Sequence, residues 1–404
     1  MADIDAAIET AAEGNKALAT RRAAAARDLQ RRMVRHAGKG STDMAAAPLR
    51  RPASIYTDAD RFARETDILF RTLPLVAGLS ADMPEPGDRL IFDDAGPPIL
   101  IVRGKDGRAR AFLNMCTHRG SRLVSTCDRA ARIACPFHAW TFDLKGRLVG
   151  LPGAAGFEDV DRDERALIAV PCEERHGLIF VVPDAGGIMD LDAHLGDFAP
   201  VLELLDLGHA APVKAGRIEA STNWKFALDT YGESYHFRTL HASTIGQTHL
   251  TDVGVFDAYG PHHRVSFPDK SFTGLADMDE ADWPVMDYGG VHYLFPNTII
   301  FMGSIEPGKG FVQLFRLFPG DDAGTLATEF TVYAPGGVRS DAHRTECEAA
   351  YDATATVVET EDYRIAADGW RSLTHAPSGF EIVLGANEIA LQNTHRAIDA
   401  AIGL

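Results

Sequence analysis

Short apolar runs separated by turn signals fill the chain between about residues 86 and 182. The runs RLIFDD, ILIVR and RAFLNM come first, and RIACPF, TFDLKGRLVG and LIFVVPD follow them. The sequences KDG and KGR, which are typical of tight turns, lie between β-type stretches. This pattern predicts a small antiparallel β domain.

Helical and strand patterns are mixed from about residue 186 onward. NWKFALDTYGESYHFRTLH (223–241) predicts a helix, and residues 339–373, which contain no proline, predict a longer one. The runs RVSFP, HYLFP, TIIFMG, FVQLFRLFP and ATEFTVYAP predict strands of a second sheet. The fold class is therefore α+β, with a small antiparallel β domain and a larger domain in which helices cover an antiparallel sheet.

The start of the chain differs in composition from the rest. Residues 1–37 are rich in alanine and arginine, which favour helix, and residues 38–53 have the Gly, Ser and Pro content of a linker. We therefore expect three units: an N-terminal helical segment with its linker (1–53), the β domain with a preceding helix (54–185) and the larger domain (186–404).

Composition and charge exclude several classes of protein. The formal net charge of −17 over 404 residues argues against nucleic acid as the main partner. Five cysteines are too few for a disulfide scaffold. No stretch approaches the roughly 20 apolar residues of a membrane span, and the N-terminus lacks the apolar core of a secretory signal. These features predict a cytoplasmic protein with no membrane partner.

Two Cys–His pairs in the β domain carry the strongest chemical signal. Cys116 and His118 are followed after 16 residues by Cys135 and His138, which gives the pattern C-x-H-x16-C-x2-H. A zinc finger requires different spacings, although a zinc site remains an alternative. Mixed pairs on two β-loops suit a Rieske [2Fe–2S] centre, in which two cysteines hold one iron and two histidines hold the other.

A second metal site is predicted in the segment 223–241. Glu233 and His236 are three residues apart and share a face of the predicted helix, whereas His241 lies about 140° from that face. Both imidazoles reach one metal only if the helix bends or ends near residues 238–240. Two imidazoles and one carboxylate would form the triad of a non-heme iron site, and by local spacing Glu233 is the nearest carboxylate.

Four segments together resemble the Rieske non-heme iron oxygenases, the family of aromatic-ring-hydroxylating dioxygenase alpha subunits. They are CTHRGSRL with CPFHAWTFDLKGRLVG, then NWKFALDTYGESYHFRTLH, HYLFPNTIIF and VVETEDYRIAADGW, and the resemblance spans roughly residues 54–375. It implies that His236, His241 and Asp362 are the iron ligands. It gives Glu233 a catalytic bridging role between a Rieske histidine and an iron-ligand histidine. Glu359 and Glu361 are interpreted as solvated helix charges, although a slip of one position would make Glu361 the ligand.

The same resemblance implies a terminal oxygenase. Electrons would pass from NAD(P)H through a reductase, a ferredoxin or both to the Rieske cluster and then to mononuclear Fe(II), which activates O2. The substrate would be an aromatic or other hydrophobic small molecule, undergoing cis-dihydroxylation or monooxygenation. Alternatives are an O- or N-demethylating monooxygenase and a Rieske electron carrier, but a carrier needs only the β domain. The family implies a homotrimer, possibly with a beta subunit.

The charge is not evenly distributed along the chain. Residues 101–150 contain ten basic and three acidic side chains, a local balance of +7 against −24 for the remainder. We hypothesise that this basic region docks an acidic electron donor. The alternative is that these charges pair with acidic neighbours.

Overall fold

The computed structural model describes residues 2–306 and 309–404. The helices are α1 (Ala2–Lys39), α2 (Ser54–Thr57), α3 (Ala59–Leu69), α4 (Leu191–Leu195), α5 (Ala199–Leu205), α6 (Trp224–Asp229), α7 (Phe272–Leu275), α8 (Asp341–Val357), α9 (Tyr363–Leu373) and α10 (Ile389–Ile402). No helix in these ranges combines the length and apolar character needed to cross a membrane.

Three small antiparallel sheets form the region in which short apolar runs alternate with turns. Their strands, in sheet order, are β10 (Cys172–Arg175), β11 (Leu178–Val181) and β2 (Leu75–Leu79), then β3 (Arg89–Phe92), β4 (Ile99–Arg103), β5 (Ala109–Leu113) and β9 (Ala169–Val170), then β6 (Ile133–Ala134), β7 (Thr141–Phe142) and β8 (Leu148–Gly150). Gly107 and Gly146 adopt positive φ angles in the predicted KDG and KGR turns, a conformation that glycine tolerates without steric cost. The predicted β domain is confirmed.

A seven-stranded antiparallel sheet dominates the C-terminal half. Its order is β12 (Ala211–Ala220), β18 (Leu326–Ala334), β17 (Lys309–Pro319), β16 (Thr298–Glu306), β15 (Gly290–Leu294), β14 (His262–Ser266) and β13 (Val255–Tyr259). The five predicted strand runs all lie in this sheet, and the α+β fold class is confirmed. The sequence analysis missed β12 and β13, the two edge strands of this sheet, whose residues are mostly half-buried or exposed.

The two halves share one apolar core. Phe92 of β3 packs edge-on against Phe318 of β17, and Phe70 contacts both Phe318 and Trp224 of α6. Ion pairing adds to this contact, because Arg217 of β12 binds Asp94 at 2.5 Å. The small β region is therefore held firmly against the large sheet.

The segments before residue 70 contact the C-terminal half of the chain. Within the predicted linker, β1 (Leu49–Pro52) pairs with β19 (Glu381–Leu384), so this part is a strand. The helix α3, which we grouped with the β domain, packs on α10. The unit boundaries at 53 and 185 remain predictions.

Two helix predictions were wrong in detail. The helix predicted over 223–241 ends at Asp229, and the chain continues in turns. Gly232 is a poor helix former, and the Glu233 side chain accepts the backbone N–H of His236 at 3.1 Å, which competes with helical hydrogen bonding. The helix predicted over 339–373 is interrupted between α8 and α9 by a π-helical turn, Val358–Asp362.

Candidate metal centres

The two Cys–His pairs lie in two loops of similar geometry. In the first loop, the carbonyl of Cys116 accepts the N–H of Gly120 at 2.8 Å, and in the second, the carbonyl of Cys135 accepts the N–H of Ala139 at 3.0 Å. Gly120 and Ala139 both have positive φ angles, which turn each loop sharply. Each loop follows a strand, β5 or β6, so the sheets fix the positions of both turns.

These turns bring the four side chains together. The two thiols are buried and hydrogen-bond to each other. The imidazoles of His118 and His138 lie 4.9 Å apart between ring centroids, and His138 Nδ1 is buried without a hydrogen-bond partner. Two sulfur and two nitrogen donors of this kind match the ligand set of a Rieske [2Fe–2S] cluster, and the orphaned nitrogen is the atom that such a cluster would satisfy.

Aromatic side chains enclose one side of this centre. Trp140 stacks on His118 with ring centroids 4.6 Å apart and planes 9° from parallel, and Phe157 meets both rings edge-on. Phe137, between Cys135 and His138, is 59% exposed. The centre is therefore covered from within the chain on one side and lies close to the surface on the other.

His236, His241 and Asp362 converge at a second place. The Nε2 atoms of the two histidines are 3.1 Å apart. Asp362 Oδ1 lies 3.2 Å from Nε2 of His241 and 3.7 Å from Nε2 of His236. This oxygen is buried and has no hydrogen-bond partner. Two imidazoles and a carboxylate oxygen, all aimed at one point, form the donor set of a 2-His-1-carboxylate iron centre, so the residues fit the metal that the sequence predicts.

The turns after α6 make this convergence possible. A continuous helix would direct His236 and His241 to different faces, but Leu240 N–H closes a single turn onto the carbonyl of His236 at 2.8 Å before the chain changes direction. The π-helical turn supplies Asp362 from the opposite side. Such turns are rare within helices and frequent at functional sites.

A carboxylate contacts the outer nitrogen of each histidine. Glu233 Oε1 bonds Nδ1 of His236, and Glu361 Oε2 lies 2.6 Å from Nδ1 of His241. Burial alone would lower the pKa of His241, but the nearby Asp362 and Glu361 carboxylates outweigh burial and raise that pKa. The interpretation of Glu361 as a solvated charge was therefore wrong, because helix spacing alone does not reveal the loop packed against it.

The other histidines of this half lie in hydrogen bonds and cores away from the convergence point. His262 bonds the carbonyl of His194 at 2.7 Å, and His292 bonds the carbonyl of Ile300 at 3.2 Å. His263 is buried, which lowers its pKa to about 3. The group of converging ligand atoms in the described residues does not include them.

A small cavity lies beside the loop that carries Glu233. It is lined by Leu228, Asp229, Tyr231, Gly232, His263, Val291, Tyr293, Ile299, Ala390, Leu391 and Thr394. The carboxylate of Asp229 accepts the hydroxyl of Tyr56 at 2.6 Å and lies 3.1 Å from Nε2 of His395. Tyr56 and His395 come from distant helices, and no local sequence signal pointed to them.

Two family models match separate parts of the chain. A family model for the Rieske [2Fe-2S] domain matches residues 74–164, and a model for the ring-hydroxylating alpha subunit catalytic domain matches residues 207–403. The oxygenase subunit of carnitine monooxygenase from Escherichia coli (strain K12) is 34% identical over 282 residues, covering 68% of this chain and 72% of that protein. The chain belongs to the Rieske non-heme iron oxygenases. It is an oxidoreductase that works as the terminal oxygenase subunit, with a Rieske cluster, mononuclear iron and O2, and it requires an electron-transfer partner and a small-molecule substrate.

Other members of this Rieske oxygenase family differ in substrate. The alpha subunit of benzene 1,2-dioxygenase from Pseudomonas putida is 33% identical over 225 residues, covering 53% of this chain and 50% of that protein. The crystal structure of the quaternary ammonium Rieske monooxygenase CntA with L-carnitine has a TM-score of 0.71 at 22% identity, covering 88% of this chain and 96% of that one. Naphthalene 1,2-dioxygenase from Rhodococcus sp. has a TM-score of 0.68 at 18% identity, covering 93% and 98%. These two structures share the fold.

Proposed function

We propose a division of the chain into an N-terminal segment (1–53), a Rieske domain (54–185) and a catalytic domain (186–404), with one metal centre in each of the last two. The cluster ligands would be Cys116, His118, Cys135 and His138, and the iron ligands His236, His241 and Asp362. The observation that carries the iron assignment is the buried, unpartnered Oδ1 of Asp362 facing two imidazole nitrogens. Bound there, cluster and iron would supply electron storage and O2 activation.

Two variants test the two centres separately. Cys135→Ser should lose the visible absorption and EPR signal of the cluster, because a hydroxyl is a poor replacement for a thiolate ligand. Asp362→Ala should keep both cluster signals and lose mononuclear iron and turnover. Full turnover by Asp362→Ala would overturn the iron assignment, and an intact cluster spectrum in Cys135→Ser would overturn the cluster assignment.

We propose that the electron donor, a ferredoxin or a reductase fed by NAD(P)H, docks over the exposed side of the cluster loops. The exposed ring of Phe137 carries the guanidinium of Arg119 at 4.5 Å from its centroid, which gives a surface that is both apolar and positive. The wider basic region contributes less than its sequence charge suggests. At least five of its ten basic side chains pair with acids of the same chain: Arg103, Arg110, Arg122, Arg129 and Arg147.

Charge reversal tests this docking surface. Arg132 is exposed and follows the cluster loop that begins at Cys116, so Arg132→Glu should slow donor-dependent reduction of the cluster at low salt. Arg108→Glu, in the turn between β4 and β5, is the matched control. Equal rates in wild type and Arg132→Glu would contradict the docking hypothesis.

We also propose a homotrimer in the bacterial cytoplasm, as the resemblance implies, and leave a beta subunit as an additional partner to be tested. Tyr235 and Ile365, which flank the iron-ligand residues, are 60% and 45% exposed, and a neighbouring subunit would cover such apolar side chains. Light scattering should give the mass of three chains, and Tyr235→Glu should weaken assembly. A monomeric wild-type protein at micromolar concentration would refute the trimer.

For the substrate, we propose a quaternary ammonium compound, oxidised at a carbon next to nitrogen. The carboxylate of Asp229 and the rings of Tyr231 and Tyr293 line the cavity beside the loop that carries Glu233, and aromatic faces with a carboxylate attract a cation. The cavity has room for about one water molecule in this structure, so a bound substrate would have to displace the side chains that line it. Its imidazole, His263, is held neutral by burial and does not offset that charge. The carnitine monooxygenase relative supports the same class.

Substrate-dependent O2 uptake separates this proposal from ring hydroxylation. Carnitine, glycine betaine and choline should stimulate uptake, with formaldehyde or an aldehyde as a product, whereas benzene and naphthalene should not. Asp229→Asn should raise KM for the cations by about tenfold or more, because it removes the counter-charge. Stimulation by the aromatic compounds alone would favour dihydroxylation and overturn the ammonium proposal.

A further inference from the structure

Glu361 contacts the imidazole of His241 on the side opposite Asp362. Its Oε2 lies 2.6 Å from Nδ1 of His241 and accepts the Thr244 hydroxyl at 2.9 Å. His241 is almost completely buried, whereas Glu361 keeps about a fifth of its side chain exposed. The Glu361 carboxylate therefore contacts His241 at Nδ1, and the Thr244 hydroxyl donates a hydrogen bond to that carboxylate.

The π-helical turn explains how consecutive residues reach opposite sides of one ring. Asp362 Oδ1 faces Nε2 of His241, and Glu361 Oε2 faces Nδ1 of the same ring. The turn is wider than an α-helical turn, and it directs both carboxylates toward the loop that follows α6. Two adjacent residues therefore contact both nitrogens of the His241 ring. Because they are adjacent in one turn, the orientation of the ring depends on the position of Asp362.

The arrangement has a tautomeric consequence. A carboxylate accepts a proton donor at Nδ1, so Glu361 fixes the N–H of His241 on that atom and leaves the lone pair of Nε2 directed at Asp362. A carboxylate behind a histidine also raises the basicity of the ligating nitrogen. We propose that Glu361, supported by Thr244, is a positioning residue that pre-orients His241 as a metal ligand. This proposal rests on the iron assignment made above.

A metal-binding experiment on the full chain with its cluster intact tests the proposal. The mononuclear site is emptied with a chelator, and Fe(II) or Co(II) affinity is then measured anaerobically by equilibrium dialysis. Glu361→Ala should weaken binding about 10- to 100-fold, the usual effect of removing such a partner. Glu361→Gln, whose amide oxygen can still accept from Nδ1, should bind more tightly than Glu361→Ala and less tightly than wild type.

Glu359→Gln is the matched control. It removes the same charge from the same turn, but Glu359 is exposed, so both the metal affinity and the Co(II) absorption bands should remain those of wild type. The Co(II) bands of Glu361→Ala should shift, and the melting temperature of its metal-free form should stay within about 2 °C of wild type. A merely structural role would lower that temperature and leave the bands unchanged.

The outcomes separate this proposal from the iron assignment. If His236→Ala binds Fe(II) as wild type does, the iron assignment fails and takes the proposal with it. If His236→Ala loses the metal while Glu361→Ala keeps wild-type affinity and bands, the iron site stands and the positioning role is refuted.

Discussion

Replacing Glu65 by glutamine is expected to destabilise the protein strongly, because it leaves a buried ammonium group without a counter-charge. Glu65 and Lys225 are 0% and 1% exposed and form an ion pair that joins α3 to α6, the helix that precedes His236 and His241. Burial lowers the pKa of Lys225 to about 8, and the charge of Glu65 opposes that fall. Breaking such a pair typically costs about 3–5 kcal/mol.

Glutamine keeps the shape of the side chain but removes its charge and one acceptor oxygen. In the wild type, Oε1 accepts from Arg61 Nε and Oε2 accepts from Trp224 Nε1, and the single amide oxygen of glutamine can replace only one of these two. The free energy of unfolding, measured by urea denaturation, should therefore fall by about 3–5 kcal/mol in Glu65→Gln. Adding Lys225→Met should recover at least half of that loss, because it removes the unpaired charge. A double variant whose loss equals or exceeds that of Glu65→Gln would refute the reasoning.

The same pair predicts a pH dependence. The pKa of Lys225 is lower in the folded protein than in an unfolded chain. The penalty for its buried charge is therefore complete below the folded pKa and disappears as the pH rises toward the unfolded value. In Glu65→Gln the charge of Glu65 no longer raises the pKa of Lys225, so the folded pKa lies below the wild-type value of about 8. The stability of Glu65→Gln relative to the double variant should therefore rise with pH from below about 8 toward the unfolded pKa. A difference that stays constant from pH 7 to pH 10 would contradict this account.

Three further variants test other parts of the structure. Trp140→Ala removes the ring stacked on His118 and should cost about 3–5 kcal/mol and much of the cluster content, measured by denaturation and iron analysis; Trp140→Phe should retain most of both. Gly216→Ala would place a Cβ in steric conflict with the hydroxyl of Tyr351 and should cost about 1–3 kcal/mol. If combining it with Tyr351→Phe relieves none of this loss, the clash is not the cause. Glu233→Gln should keep iron but slow single turnover from a reduced cluster about tenfold or more, since the carboxylate behind His236 loses its charge; an unchanged rate would contradict a bridging role.

The local sequence was sufficient for the elements whose signal is itself local. The alternation of apolar runs and turns predicted the small sheets. The spacing of Cys116, His118, Cys135 and His138 indicated a cluster, because each Cys–His pair lies within one short segment and is visible in the local sequence. The five inner strands of the large sheet were predicted for the same reason, since each is a compact run rich in β-branched and aromatic residues.

Tertiary structure decided the features that depend on contacts between distant segments. Helical periodicity placed His236 and His241 on different faces, and only the end of α6 at Asp229 brings their nitrogens within 3.1 Å. The π-helical turn that aims both Glu361 and Asp362 at one histidine has no sequence signature, because a single inserted residue is stabilised by packing rather than by propensity. The sequence therefore determined which chemical groups are available and which family they indicate. Only the fold, by packing α8, α9 and the π-helical turn between them against the loop that follows α6, determined which carboxylate faces the two Nε2 atoms and which contacts Nδ1 of His241.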